Sequence, residues 1–175
     1  NEDIRQLLVL QDRDAKASRL EAELESIEPE REKTRRDSIR TQQVLDQAKQ
    51  DQRQLEVRRK DLENEVEGKK EQIRKFSQQQ LETKKNLEYQ TLGREIDHVR
   101  EVISEIEERE SELMEQQDAF KSTLAEANQV AEEAKSGEAK KISDLDEREK
   151  NIESELDAMD EERDGIVSKI NKKIV

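Results

Sequence analysis

Apolar residues recur along this chain at alternating steps of three and four. In the first half they fall at Leu45, Ala48, Leu55, Leu62, Val66, Ile73 and Phe76, and in the second at Leu92, Ile96, Val99, Ile103, Ile106, Leu113, Phe120 and Leu124. That spacing holds one narrow stripe of a helix against a partner, which is the pattern of a coiled-coil seam. Between the two runs lies a polar gap, Thr83-Lys84-Lys85-Asn86. The pattern predicts an all-α chain, a long antiparallel two-helix coiled-coil hairpin. Its first arm covers residues 3–82, its tip 83–86 and its second arm 87–174.

Antiparallel topology follows from a mirror symmetry. Folded about Leu81 to Ile96, the seams place Ile73 against Ile96, Val66 against Ile103, Leu62 against Ile106, Leu55 against Leu113 and Leu45 against Leu124. Further out, Ile27 meets Ile142, Leu24 meets Leu145, Ala17 meets Ile152 and Leu10 meets Met159. Polar interruptions fall opposite one another too: Arg59 faces Glu110 and Gln52 faces Gln117. A polar group at a seam costs free energy against an apolar partner and is tolerated against a polar one. These four residues read as register-setting core pairs rather than a binding site.

Asn1 to Asp3 supply capping side chains ahead of Ile4, Leu7, Leu8 and Leu10. Leu7 and Val9 exceed what a two-helix seam needs, so local packing and contact with a further domain or subunit both stay open. Proline removes a helical hydrogen bond and disfavours helix at the residue before it. A break is therefore expected near 28–30, at Pro29. The next seam positions, Arg31, Thr34, Ser38 and Thr41, are polar and lie opposite Glu138, Ala134, Ala131 and Ala127, close to Gly137. Two successive steps of four, Ala134 to Glu138 to Ile142, make a stutter. A kink or soft joint near Pro29 and Gly137 is the expectation, dividing a basal from a distal part. Asn86 is the expected N-cap of the returning helix, with Glu88 in its first turn. The apolar series Ile166, Ile170, Ile174 and Val175 predicts that a further module follows.

Composition removes the competing classes. Charged residues make up 45% and aromatic ones 2%, with one proline, four glycines and no tryptophan. A compact core needs more apolar material than this, and a disordered chain lacks a sustained period. No run of about 18 apolar residues is present, so no membrane insertion is expected. With no cysteine there is neither a disulfide nor a thiolate metal site, and a cytoplasmic location is expected.

The net charge of −13 argues against nucleic-acid or anionic-membrane binding by the chain as a whole. It is unevenly placed, however. Residues 69–100 hold eight Lys/Arg against five acids, net +3, which leaves −16 on the remainder.

No catalytic constellation, phosphate loop or cofactor motif is found, and no enzymatic activity is expected. His98, the one histidine, falls beside the seam and reads as a surface residue. The better candidate is the tip, where Tyr89 stands among Lys84, Lys85, Asn86 and Arg94. In one reading Tyr89 and Leu92 plug the hairpin end against Leu81. In the other the tip is an aromatic and basic contact for an acidic protein surface or a phosphate.

The stretch Asn86, Glu88, Tyr89, Gln90, Leu92, Glu95 and Ile96, within N-L-E-Y-Q-T-L-G-R-E-I, resembles the N-x-E-Y-Q-x-L-x-x-E-I signature of the bacterial C4-type zinc-ribbon domain family. Leu7 to Asp14 resembles the start of that family, and Ser26 to Pro29 is similar to a break in some members. Gly93 departs from the pattern, where a bulkier residue is usual and the returning helix is expected to loosen. The resemblance implies a coiled-coil hairpin preceding a four-cysteine zinc ribbon; here zinc is a cofactor only of a ribbon beyond residue 175. It also implies a non-enzymatic adaptor, linked in some members to sigma-54 and to flagellar or type III secretion components, and in one type to messenger RNA.

The function expected is thus an adaptor or scaffold that binds protein partners. A nucleic-acid-binding protein using the basic tip or the ribbon is the first alternative. A structural coiled-coil segment of a filament or motor protein is the second. Self-association stays open.

Overall fold

The computed structural model describes the backbone of residues 1–174 and the side chains through Lys173. The apolar close expected at Val175, and any ribbon after it, lie outside the described residues. Two helices account for nearly all of the chain: α1 (Glu2–Glu82) and α2 (Asn86–Ile174), packed antiparallel and joined by Thr83–Lys85. Asn1 caps α1 as expected, its Oδ1 accepting from the Asp3 amide at 3.4 Å.

Contacts group the chain into two compact units. One holds Asn1–Gln42 with the α2 residues from Val130 onward, and the other holds Gln43–Gln129. In the second unit every seam position expected from the sequence is buried or half-buried. Its centre is Val66, Val99, Ile103 and Ile106, with Leu62, Ile73, Phe76 and Val102 packed against them. In the first unit Leu20, Ile27 and Ile152 form the core, flanked by Leu24, Leu145, Leu156 and Met159. Ile152 is fully buried.

The division between these two units falls at Gln42/Gln43 on α1 and Gln129/Val130 on α2. The break expected at 28–30 is absent, because α1 continues through Pro29 and α2 through Ser136-Gly137. A proline inside a helix costs about 3 kcal/mol through its missing N–H and ring clash. Here Ile27 and Arg31, both buried, anchor the chain on either side of it.

The two threonines of the polar seam beyond Pro29 are satisfied locally. Thr34 Oγ1 donates to the Glu30 carbonyl at 2.8 Å and Thr41 Oγ1 to that of Ser38 at 2.8 Å. Bonding back to their own helix lets hydroxyls occupy a buried position without a cross-helix partner. Opposite them, Ala131 is buried and Ala127 and Ala134 half-buried, as expected.

Candidate functional site: the hairpin turn

The turn is built without glycine and, among the described residues, without a positive φ. The last bond of α1 runs from the Thr83 amide to the Gln79 carbonyl at 3.0 Å. The first bond of α2 runs from the Tyr89 amide to the Lys85 carbonyl at 3.0 Å, so Lys85 occupies the N-cap position. Asn86 is the first residue of the helix and not its cap, which corrects the expectation from sequence.

Thr83 braces the entry to α2 instead. Its hydroxyl accepts from the Lys85 amide at 3.3 Å and donates to Glu88 Oε2 at 2.9 Å. Glu88 thus ties the first turn of α2 back to the linker, where a carboxylate also suits the helix dipole.

A second clasp crosses between the helices. Gln80 Nε2 donates to the Tyr89 carbonyl at 3.1 Å. A Cβ placed at Gly93 would lie 3.3 Å from that same nitrogen. Gly93 therefore gives the Gln80 amide its path to Tyr89, and α2 is continuous through it rather than loosened.

The expected plug of Tyr89 and Leu81 is not formed. Leu81 is 83% exposed, Leu87 76% and Tyr89 51%, while Leu92 is half-buried. The seam ends at Phe76, Gln80 and Leu92, and Leu81, Leu87 and Tyr89 fall off its stripe. The most exposed large apolar side chains of the described residues therefore stand on either side of the turn.

The structure brings Lys84, Lys85, Asn86, Tyr89 and Arg94 together as exposed residues around this turn. Neutral donors hold the neighbouring carboxylates: Thr83 bonds Glu88, and Gln78 Nε2 bonds Glu82 at 3.1 Å. Lys84, Lys85 and Arg94 form no ion pair among the described residues. In the first unit, by contrast, cations are matched across the helices, as Arg13 with Glu162, Arg148 with Glu23 at 2.6 Å and Arg163 with Asp14 at 3.1 Å.

The register-setting polar residues pair differently from expectation. Arg59 Nη1 donates to Gln117 Oε1 at 3.3 Å and Arg59 Nε lies 3.5 Å from Glu63, so Arg59 does not meet Glu110. Gln52, Arg59 and Gln117 line one shallow groove, and Glu110 lines the next with Val66. Arginine's length carries its head group one heptad along α2, past the residue directly opposite.

Sequence reasoning missed the strongest polar cluster. Arg31, expected to face Glu138, instead donates to Asp146 Oδ1 from Nη2 at 2.6 Å and from Nε at 3.0 Å. Its Nη1 donates to Glu149 at 2.7 Å and to Glu28 at 3.0 Å. These bonds, Glu149's first, hold the guanidinium pKa above its usual strongly alkaline range. The available signal was the i,i+3 spacing of both Glu28–Arg31 and Asp146–Glu149, which puts each pair on one helix face.

Among the described residues no group of three or more His, Cys, Asp or Glu side chains is placed to hold a metal ion. No helix there is long and apolar enough to cross a membrane.

No protein-family model matches this chain. No curated protein matches it either. Two solved structures share its fold. CT398 from Chlamydia trachomatis superposes with a TM-score of 0.79 at 19% identity, over 96% of this chain and 71% of that one. HP0958 from Helicobacter pylori does so with a TM-score of 0.64 at 15% identity, over 97% and 71%. At these identities the likeness is one of fold: this chain is a helical hairpin of the kind seen in both.

Proposed function

We propose that this protein is a non-enzymatic adaptor of the cytoplasm that docks a protein partner on its hairpin turn. The observation that carries the reading is the exposure of Leu81, Leu87 and Tyr89 on a turn fixed by the Gln80 and Thr83 bonds. Burying a leucine that stands in water contributes about 1.5–3 kcal/mol, and the fold leaves that contribution unused at both leucines. A turn already held in one conformation also loses little entropy on docking. The similarity of Asn86, Glu88, Tyr89, Gln90, Leu92, Glu95 and Ile96 to the zinc-ribbon family signature puts sigma-54 and flagellar or type III secretion components first among partners to test.

The test is site-specific photocrosslinking in cells, with the crosslinker at Leu87 and, as a control, at Val57, a residue exposed on α1 away from the turn. A discrete protein adduct is expected from position 87 and not from 57, and it should disappear with Tyr89→Ala plus Lys84→Glu. An adduct to RNA from position 87 would replace the reading with nucleic-acid binding. Adducts from position 57 alone would move the contact surface away from the turn.

A further inference from the structure

Independently of the turn, we infer that α1 carries a second coiled-coil seam over residues 4–22, and that a second copy of this chain fills it, parallel and in register. The seam to α2 passes along α1 through Gln6, Leu10, Arg13 and Ala17, all half-buried, to the buried Leu20. Roughly 140° around the same helix, a second stripe advances in the same alternating steps of three and four. It comprises Ile4, Leu8, Gln11, Ala15, Ser18 and Ala22. All six are exposed. None is charged, in a chain whose residues are 45% charged. Ile4 and Leu8 are 56% and 57% exposed, and Leu7 beside them 53%. At about 100° per residue these three fall within one arc of about 100°, so they share a face. The stripe ends at Glu25 and Pro29.

The flanking charges fit a second copy in one orientation only. Leu7, Asp14 and Glu21 border the stripe on one side, and Arg5, Asp12 and Arg19 on the other. In a parallel pair the two borders meet, each residue of the first facing the one five positions on in the copy. Asp14 then faces Arg19 of the copy, twice by symmetry, while Leu7 and Ser26 leave Asp12 and Glu21 without a like charge opposite. Arg19 is open to this contact, since it forms no ion pair among the described residues, whereas Arg13 pairs with Glu162 across the hairpin. Asp14 holds Arg163 through Oδ1 at 3.1 Å, which leaves its second oxygen for the copy. Antiparallel packing over the same stripe would set Arg5 against Arg19, Asp12 against Asp12 and Asp14 against Asp14, like charges in each case. Gln11 meets its own copy in the parallel pair, where its amide both donates and accepts, a polar layer that holds the register. The stripe runs only about 28 Å along the helix. The pairing is therefore weak, and the chain exchanges between one copy and two with concentration.

Sedimentation equilibrium of the full chain over a concentration series tests this. The mass should rise from 20.5 kDa toward twice that value. Leu8→Ser should weaken the association about tenfold or more. Arg19→Glu and Asp14→Lys should each weaken it alone, while an equimolar mixture of the two variants pairs as wild type does. Each contact in the mixed pair again joins opposite charges. These positions are exposed, so helical circular dichroism should be unchanged. The chain has no cysteine, so Gln11→Cys and Ser18→Cys report orientation. Mild oxidation should link each to its own copy, because a parallel pair in register sets both against themselves; an antiparallel pair does so for one at most. A disulfide at only one of the two positions would overturn the parallel pair. A chain that stays monomeric across the series, or a dimer indifferent to Leu8→Ser, would overturn the inference as a whole.

Discussion

The Gln80 side chain donates to the Tyr89 carbonyl at 3.1 Å, across a turn that contains no glycine, and Gly93 on α2 lies beneath the amide. The bond fastens the end of the hairpin from α1, beyond the last seam residue. Gly93→Ala sets two effects against each other. Helix propensity favours alanine by about 1 kcal/mol. The new Cβ would press on the end of a flexible, half-exposed amide, which can move by a few tenths of an ångström or bond water, so only part of a bond contributing about 1 kcal/mol is lost. The expected net is a gain of about 0.5 kcal/mol by urea denaturation. In the Gln80→Ala background the gain should rise to about 1 kcal/mol, because nothing then opposes it.

Gly68 and Gly137 lie inside helices with nothing near the position a Cβ would take. Gly68→Ala and Gly137→Ala should each stabilise by about 1 kcal/mol. The two should add in the double variant, since the sites are far apart in sequence and share no partner. A loss of stability in either would show that the glycine serves a conformation other than the continuous helix seen here.

Ile152, fully buried, is the position where truncation should cost most. Ile152→Ala is expected to lose about 2–5 kcal/mol, while Val130→Ala, at a half-exposed position, should stay within about 0.5 kcal/mol. Equal losses at the two positions would contradict the packing of the first unit.

Arg31 gives a prediction about pH. Its folded pKa is raised by the bonds from Glu149, Glu28 and Asp146. A raised pKa contributes stability that is fully present below the unfolded value and is lost only as pH climbs through the folded one, here far into the alkaline range. Arg31→Met should lower the thermal midpoint by a few degrees, and the gap from wild type should be the same at pH 7 and pH 10. A gap that closes over that interval would mean that the guanidinium loses its charge well below its usual range, against the raised pKa.

The bidentate pair of Arg148 with Glu23, at 2.7 and 2.8 Å, joins two half-exposed side chains. A double-mutant cycle should return a coupling of about 0.3–1 kcal/mol, falling in high salt. A larger, salt-insensitive coupling would place the pair in a drier environment than this fold gives it.

Much of the molecule was legible in the sequence because a helix pair buries one stripe. Leu45, Val66, Ile96, Ile103, Ile106 and Leu113 announced that stripe by spacing alone, and all are buried. The arm limits followed to within a residue from the polar gap Thr83–Asn86, and the exposure of Lys84, Lys85 and Arg94 from their lying off the seam. Periodicity could not decide the axial pairing of polar groups. A heptad pattern matches itself after a slide of seven residues, so Arg59 fits Glu110 or Gln117 equally well on paper, and only the packed helices select Gln117. Arg31's partners Asp146 and Glu149 lie eight and eleven residues beyond Glu138, off any heptad step, so matching seams could not find them. Nor could spacing show which side chains close the turn. Thr83, Gln80 and Gly93 act there through contacts between residues five to thirteen apart in the chain, which form only once the two helices lie side by side.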